Sequence, residues 1–163
     1  MKEFILNKLR ENLLKESVDT KKLLDLALKS SFESESLAKN YITKSIKELN
    51  NLPDIITLYR VIFAKDKNSI NQKEIGSHYV MNRRQLEQSH QFISHVGGGT
   101  PFMLTVKAPK SLIDLETTLE NKVMYPHENE ITLKNKGVGA KIIRIDSFQA
   151  EEDGFDGFDP YDY

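Results

Sequence analysis

A chain of 163 residues with 39% hydrophobic and 29% charged residues is one domain's worth of ordinary soluble material, not a disordered polymer. The absence of cysteine excludes a disulfide framework and any thiolate metal site. The net charge of -1 hides an asymmetry: seven acidic residues and no Lys or Arg lie from Asp146 onward, so 23 basic residues face the other 17 acidic ones over positions 1–145.

A basic body suits phosphate-bearing ligands, including a dinucleotide or a nucleic acid, and equally a lysine-rich solvated surface; charge does not decide between them. No apolar run approaches the roughly 18 residues of a membrane span. The first segment, MKEFILNKLRENLLKES, mixes charge into its apolar residues from the outset and has no signal-peptide core. These features predict a cytoplasmic protein with no membrane partner.

In chain order, residues 1–52 read as helical. Phe4-Ile5, Leu9 and Leu13-Leu14, then Leu23-Leu24 and Leu26-Ala27-Leu28, recur at three-to-four spacing between charged positions. Ser17-Val18-Asp19-Thr20 breaks the first helix and can cap the second. Over 33–49, Leu37, Tyr41, Ile42, Ile46 and Leu49 are expected on one face. Asn50-Asn51-Leu52-Pro53-Asp54 then ends helical character.

After Pro53 the pattern changes. Positions 55–64, IITLYRVIFA, are β-branched and aromatic, a buried strand with one charge inside it. A polar loop follows over 65–73, then a short strand or bend at 75–80, and a helix over 82–95 with Leu86, His90 and Ile93 on one side. Gly97-Gly98-Gly99-Thr100-Pro101 breaks the chain before a strand at 102–106. Val123-Met124-Tyr125 leads to a turn at Pro126-His127, Glu130-Ile131-Thr132-Leu133 continues as a strand, and Gly137 and Gly139 turn the chain into a last strand at 140–145. Helices first and strands afterwards predict an α+β fold. The domain plan is a helical part at 1–52, a β-rich core at 53–147 and a flexible acidic aromatic tail at 148–163. The tail has a period of three, Asp153-Gly-Phe, Asp156-Gly-Phe, Asp159-Pro-Tyr, which fits neither helix nor strand.

Three features carry potential chemistry. Arg60 lies inside an apolar strand, which is costly unless its guanidinium meets an anion; the alternative is a structural ion-pair partner. Gly76-Ser77-His78-Tyr79 places a hydroxyl beside an imidazole and a ring, and by itself also reads as a turn. Glu128 and Glu130 flank Asn129 at a strand's beginning and would share a face if the segment is extended; Glu-x-Glu is equally common in solvated strands. Gly97-Gly98-Gly99 lacks the Gly-Lys-Ser/Thr ending of a phosphate loop and reads as a connection. His78, His90, His95 and His127 show no metal-binding spacing, so no metal site is expected.

The ordered combination resembles the arginine–serine–glutamate branch of the ADP-ribosyltransferases. In that family an aromatic-Arg pair ends the first core strand, a Ser-containing strand follows, and a Glu/Gln-x-Glu motif opens a later strand after an aromatic-bearing turn. Tyr59-Arg60, Gly76-Ser77 and Tyr125 through Glu128-Asn129-Glu130 are similar to those pieces, over roughly residues 55–145. The small size and helical lead-in are also similar to the transferases of T-even-type bacteriophages, for which the place of action would be the host cytoplasm. Two departures stand out: Val61 occupies the position of the family's glycine, and where the family's serine strand reads Ser/Thr-x-Ser, Ser77 is followed here by His78-Tyr79.

The resemblance implies a mainly antiparallel split-sheet core that uses NAD as co-substrate, with no metal. It implies Glu130 beneath the oxocarbenium-like ribose and Glu128 orienting or deprotonating the acceptor, an arginine side chain of a protein. It further implies Arg60 on the pyrophosphate or ribose with Tyr59 beside it, Ser77 or His78 as the second contact to NAD, Tyr79 stacked on nicotinamide, and Tyr125 on the target protein. NAD glycohydrolysis and a non-catalytic phage or virion binding module are the rival readings. The tail is expected to dock on a partner or on the basic body, or else merely to solubilise.

Overall fold

The computed structural model describes residues 18–88 and 99–148. The first expected helix, the second half of the one over 82–95 (positions 89–95), Gly97, Gly98 and the acidic tail beyond Phe148 lie outside them. In chain order the elements are α1 (Thr20–Ser30), α2 (Glu35–Asn50), β1 (Ile55–Ala64), β2 (His78–Val80), α3 (Arg83–Gln88), β3 (Thr100–Pro109), α4 (Leu115–Met124), β4 (Glu130–Thr132) and β5 (Lys141–Ser147), with short 3-10 turns between them. The fold is α+β. No helix among the described residues is long and apolar enough to cross a membrane.

The described residues divide into two compact units, 18–54 with 113–132, and 55–88 and 99–112 with 133–148. In the first, Asp19 caps α1 by accepting from the Lys22 amide at 3.1 Å, and Ser34 caps α2 by accepting from the Leu37 amide at 3.2 Å. Helix α1 buries Leu23 and Ala27, and α2 buries Ala38, Ile42, Ser45, Ile46 and Leu49. Leu37, expected on the core face, is instead 60% exposed. The stripe that packs runs through Ala38, whose small side chain admits a neighbouring helix closely, and Leu37 sits about 100° away from it.

Helix α4 was not anticipated from the sequence, yet it completes this unit by packing on α1 and α2. Asp114 caps it through the Thr117 amide at 3.1 Å, and Thr118, Leu119, Lys122 and Val123 are buried. Leu115, Leu119 and Val123 at four-residue spacing behind Asp114 are the signal that could have found it. Burial lowers the pKa of Lys122, and the Glu48 carboxylate works in the opposite direction. Strand β4 is tied to α4 by buried hydrogen bonds. The Thr132 amide donates to Thr118 Oγ1 at 3.0 Å, and the Thr132 carbonyl accepts from the Asp114 amide at 2.9 Å and the Thr118 hydroxyl at 3.3 Å.

The second unit is built on strands in the order β2-β1-β3-β5, and each pairing is antiparallel. β1 pairs with β3 along its whole length, from Ile55↔Pro109 to Ala64↔Thr100. Its run of β-branched and aromatic residues is what a two-sided, largely buried strand requires. One face buries Val61, Val80, Met103 and Phe148 beneath Leu86 of α3, with Tyr59 and Phe63 packed against them.

Candidate functional site

Arg60 is the sixth of ten residues in β1, so the aromatic-Arg pair sits in mid-strand and not at the strand's end. Tyr59, on the opposite face, packs against the Val61–Met103 cluster. Arg60 turns toward the Gly76–Tyr79 segment. Its Nη1 donates to the His78 carbonyl at 2.8 Å, and its guanidinium carbon lies 5.8 Å from the centroid of the Tyr79 ring.

Gly76 is essential to this approach. Its φ is +103°, and a Cβ there would lie 2.6 Å from the Arg60 guanidinium carbon. Only glycine tolerates that backbone and that proximity together.

The Gly76–Tyr79 segment is itself clasped. The Gly76 amide donates to the Lys136 carbonyl at 2.9 Å, and the Leu133 amide donates to the Ser77 carbonyl at 2.8 Å. Lys136 Nζ lies 3.4 Å from Glu74. The clasp needs three successive residues with left-handed φ, Asn135 at 49°, Lys136 at 54° and Gly137 at 78°. Such backbone is held only where surrounding contacts over-determine it. Gly76, Lys136 and Gly137 were therefore missed as positioning residues; the Gly-Val-Gly run at 137–139 read only as a turn.

Ser77 precedes β2 instead of lying within it, and its main chain carries the contact to Leu133. His78 opens β2 with an exposed side chain while its carbonyl faces Arg60.

Tyr79 corrects an expectation. It is only 1% exposed, and its hydroxyl donates to the Gly76 carbonyl at 2.7 Å. A ring so enclosed by protein is not offered to nicotinamide in this conformation. Burial pushes its pKa up to about 12, against the opposing pull of the Arg60 cation. A phenol whose folded pKa exceeds its unfolded value of 10 adds stability that is complete below pH 10 and lost as pH rises toward 12. The loss is on the order of 2–3 kcal/mol. Phenolate absorbance against a Tyr79→Phe control should place this ionisation near pH 12, with unfolding made easier over the same interval.

Tyr125, Glu128 and Glu130 belong to the helical unit. Tyr125 is the C-cap of α4 and is 56% exposed. Pro126 to Glu128 form a turn in which the Glu128 amide donates to the Tyr125 carbonyl at 3.1 Å. Asn129 follows with φ +46°, and Glu130, half-buried, opens β4. The segment is not extended, so alternation does not put Glu128 and Glu130 on a common face. Proline and a left-handed asparagine explain why.

The described residues hold no group of three or more His, Asp or Glu suited to a metal ion. An open depression lined by Glu35, Ser36, Lys39 and Asn40 on α2 includes none of the residues above. Comparison of the chain with protein-family models, with curated proteins and with solved structures finds no match.

Proposed function

We propose that the chain is a mono-ADP-ribosyltransferase that moves ADP-ribose from NAD to a protein side chain, arginine being the acceptor class. The observation that supports this best is the setting of Arg60. A planar guanidinium rises from a fully paired strand and is held by a carbonyl, a ring and a glycine that leaves it room. A cation preorganised in this way suits a diphosphate, because its donors match two oxygens at once and little side-chain freedom is lost on binding. The order of the remaining pieces adds to it: a serine beside that contact, then an aromatic C-cap, a turn, and a carboxylate at the first residue of a strand.

In this reading Arg60 binds the pyrophosphate of NAD, with Ser77 or His78 beside it. Glu130 stabilises the positive charge that develops on the nicotinamide ribose as its bond to nicotinamide breaks and the electron pair leaves with the nicotinamide nitrogen. The acceptor nitrogen attacks the same carbon, and Glu128 takes its proton. Exposure of Glu128 and Tyr125 suits contact with a protein acceptor.

A second reading, a binding module without catalysis, is favoured by Tyr79, whose ring braces the protein instead of facing a ligand. NAD labelled in its ADP-ribose half tests these readings on purified protein, with protein and water as acceptors. Label on protein is the expected result, and Glu128→Ala should abolish it while nicotinamide release continues. Release without labelling in the unaltered chain would indicate glycohydrolysis. A folded chain that neither binds nor cleaves NAD would overturn the enzymatic reading in favour of the binding module.

A further inference from the structure

The β-rich unit is strongly lopsided in charge. Over positions 55–112 and 133–148 the sequence holds twelve Lys and Arg against four acidic residues, Asp66, Glu74, Glu87 and Asp146. The fifteen positions that follow, 149–163, hold six acidic residues, four aromatic ones and no Lys or Arg.

The structure locates a focus for the attraction between them. In the register of β3 with β5, Lys107 stands directly opposite Lys141, and Thr105 stands opposite Arg144. Thr105 and Lys107 are two apart on β3, so the three cations share one sheet face. All three are exposed. Arg144 also pairs with Asp146 at 2.9 Å, and 65% of its side chain remains exposed. Like charges directly opposite in an antiparallel pair destabilise it unless an anion offsets them. A bulge between Thr105 and Val106 leaves Ile143 outside the register and 52% exposed, an apolar neighbour to these cations.

We infer that residues 149–163 fold back along β5 and set their acidic aromatic repeat on Lys107, Lys141 and Arg144. The reach is right. β5 ends at Ser147, opposite Phe102, while Lys141 lies at its other end. Six residues of strand separate them, ~20 Å at ~3.3 Å per residue. A chain that turns after Phe148 and returns extended covers that distance in about six residues. This brings Asp153-Gly154-Phe155 and Asp156-Gly157-Phe158 level with the lysine pair. Acids then meet cations, and the aromatic rings have Ile143 to cover. The inference does not depend on NAD.

The lack of native cysteine makes the test direct. A nitroxide placed on the full chain through Gly157→Cys should erase the amide NMR signals of Lys107, Lys141 and Arg144 at low salt. The signals should return at about 1 M salt, where the screening length is about 3 Å in place of about 10 Å at 0.1 M. They should also return in the K107E/K141E chain, whose remaining spectrum reports whether it is folded; if it is not, the salt titration of the unaltered surface decides. Signals undisturbed at low salt, erased on another face, or erased regardless of salt would overturn the inference. So would loss seen only between chains, in a mixture of nitroxide-bearing and isotope-labelled molecules.

Discussion

Replacing Glu130 by glutamine is expected to reduce NAD cleavage and transfer by about two to three orders of magnitude while leaving the fold intact. The change keeps the size and shape of the side chain and removes its negative charge. That charge is the quantity the proposed mechanism uses, since the ribose becomes cationic only as the nicotinamide bond breaks. Turnover should therefore fall far more than NAD affinity. The fold should survive because β4 is anchored by its neighbours: Ile131 is fully buried, and Thr132 holds Asp114 and Thr118 through its main chain. Glu130 is the half-buried first residue of that strand, and glutamine keeps its shape there. Single-turnover rates for the two chains, with thermal unfolding measured beside them, provide the check. A variant within tenfold of the parent rate, at unchanged stability, would remove Glu130 from the catalytic role.

The largest effect on stability is expected at Gly137. An alanine there would carry a Cβ 2.5 Å from the Gly76 carbonyl oxygen and 2.7 Å from the Tyr79 hydroxyl, on backbone with φ +78°. Neither neighbour can step aside at little cost. The carbonyl is main chain, the phenol is buried, and the two are hydrogen-bonded to each other at 2.7 Å. Relief requires the 133–137 segment to draw back from Gly76, which breaks the bond from the Gly76 amide to the Lys136 carbonyl. Left-handed backbone for alanine costs about 1 kcal/mol, a lost main-chain hydrogen bond about another, and a buried group left unsatisfied 1–3 kcal/mol more on the usual scale of roughly these effects.

A total of about 3–5 kcal/mol should lower the unfolding midpoint by about 6–20 °C in a chain of this size. Loosening this clasp also frees the loop that supports Arg60, so the Tyr79 ionisation should move back from about 12 toward 10. Thermal denaturation and the phenolate titration measure the two consequences. A Gly137→Ala chain as stable as the parent, with an unmoved Tyr79, would show that the clasp does not hold the Arg60 loop.

The sequence by itself determined those features that depend on neighbours a few residues away. The run IITLYRVIFA is a strand because branched and aromatic side chains suit an extended, two-sided environment, and β1 spans the same ten residues. Asp19 caps α1 because a short carboxylate competes for the amides of a first turn. Glu130 opens a strand, and the glycines at 137 and 139 turn the chain before β5. Helix α4 lay within reach of the same reasoning, through Asp114 and the four-residue spacing behind it, but its threonines weakened the helical pattern.

Other features were decided only when distant segments met. Periodicity gives a helix an apolar face, but which edge of that face packs depends on the neighbouring surface; α2 therefore buries Ala38 and leaves Leu37 in solvent. A strand arginine must satisfy its charge, but nothing near Arg60 in sequence reveals that the His78 carbonyl, the Tyr79 ring and the space left by Gly76 will do so. Tyr79 looked available for stacking because hydrophobicity cannot distinguish a ring that faces a ligand from one sealed by a loop about sixty residues later in the chain. Local rules rest on torsion angles and on neighbours within a turn of helix. The site rests on the register and loop contacts that bring residues 60, 76–79 and 133–137 together, and these exist only once the chain has closed on itself.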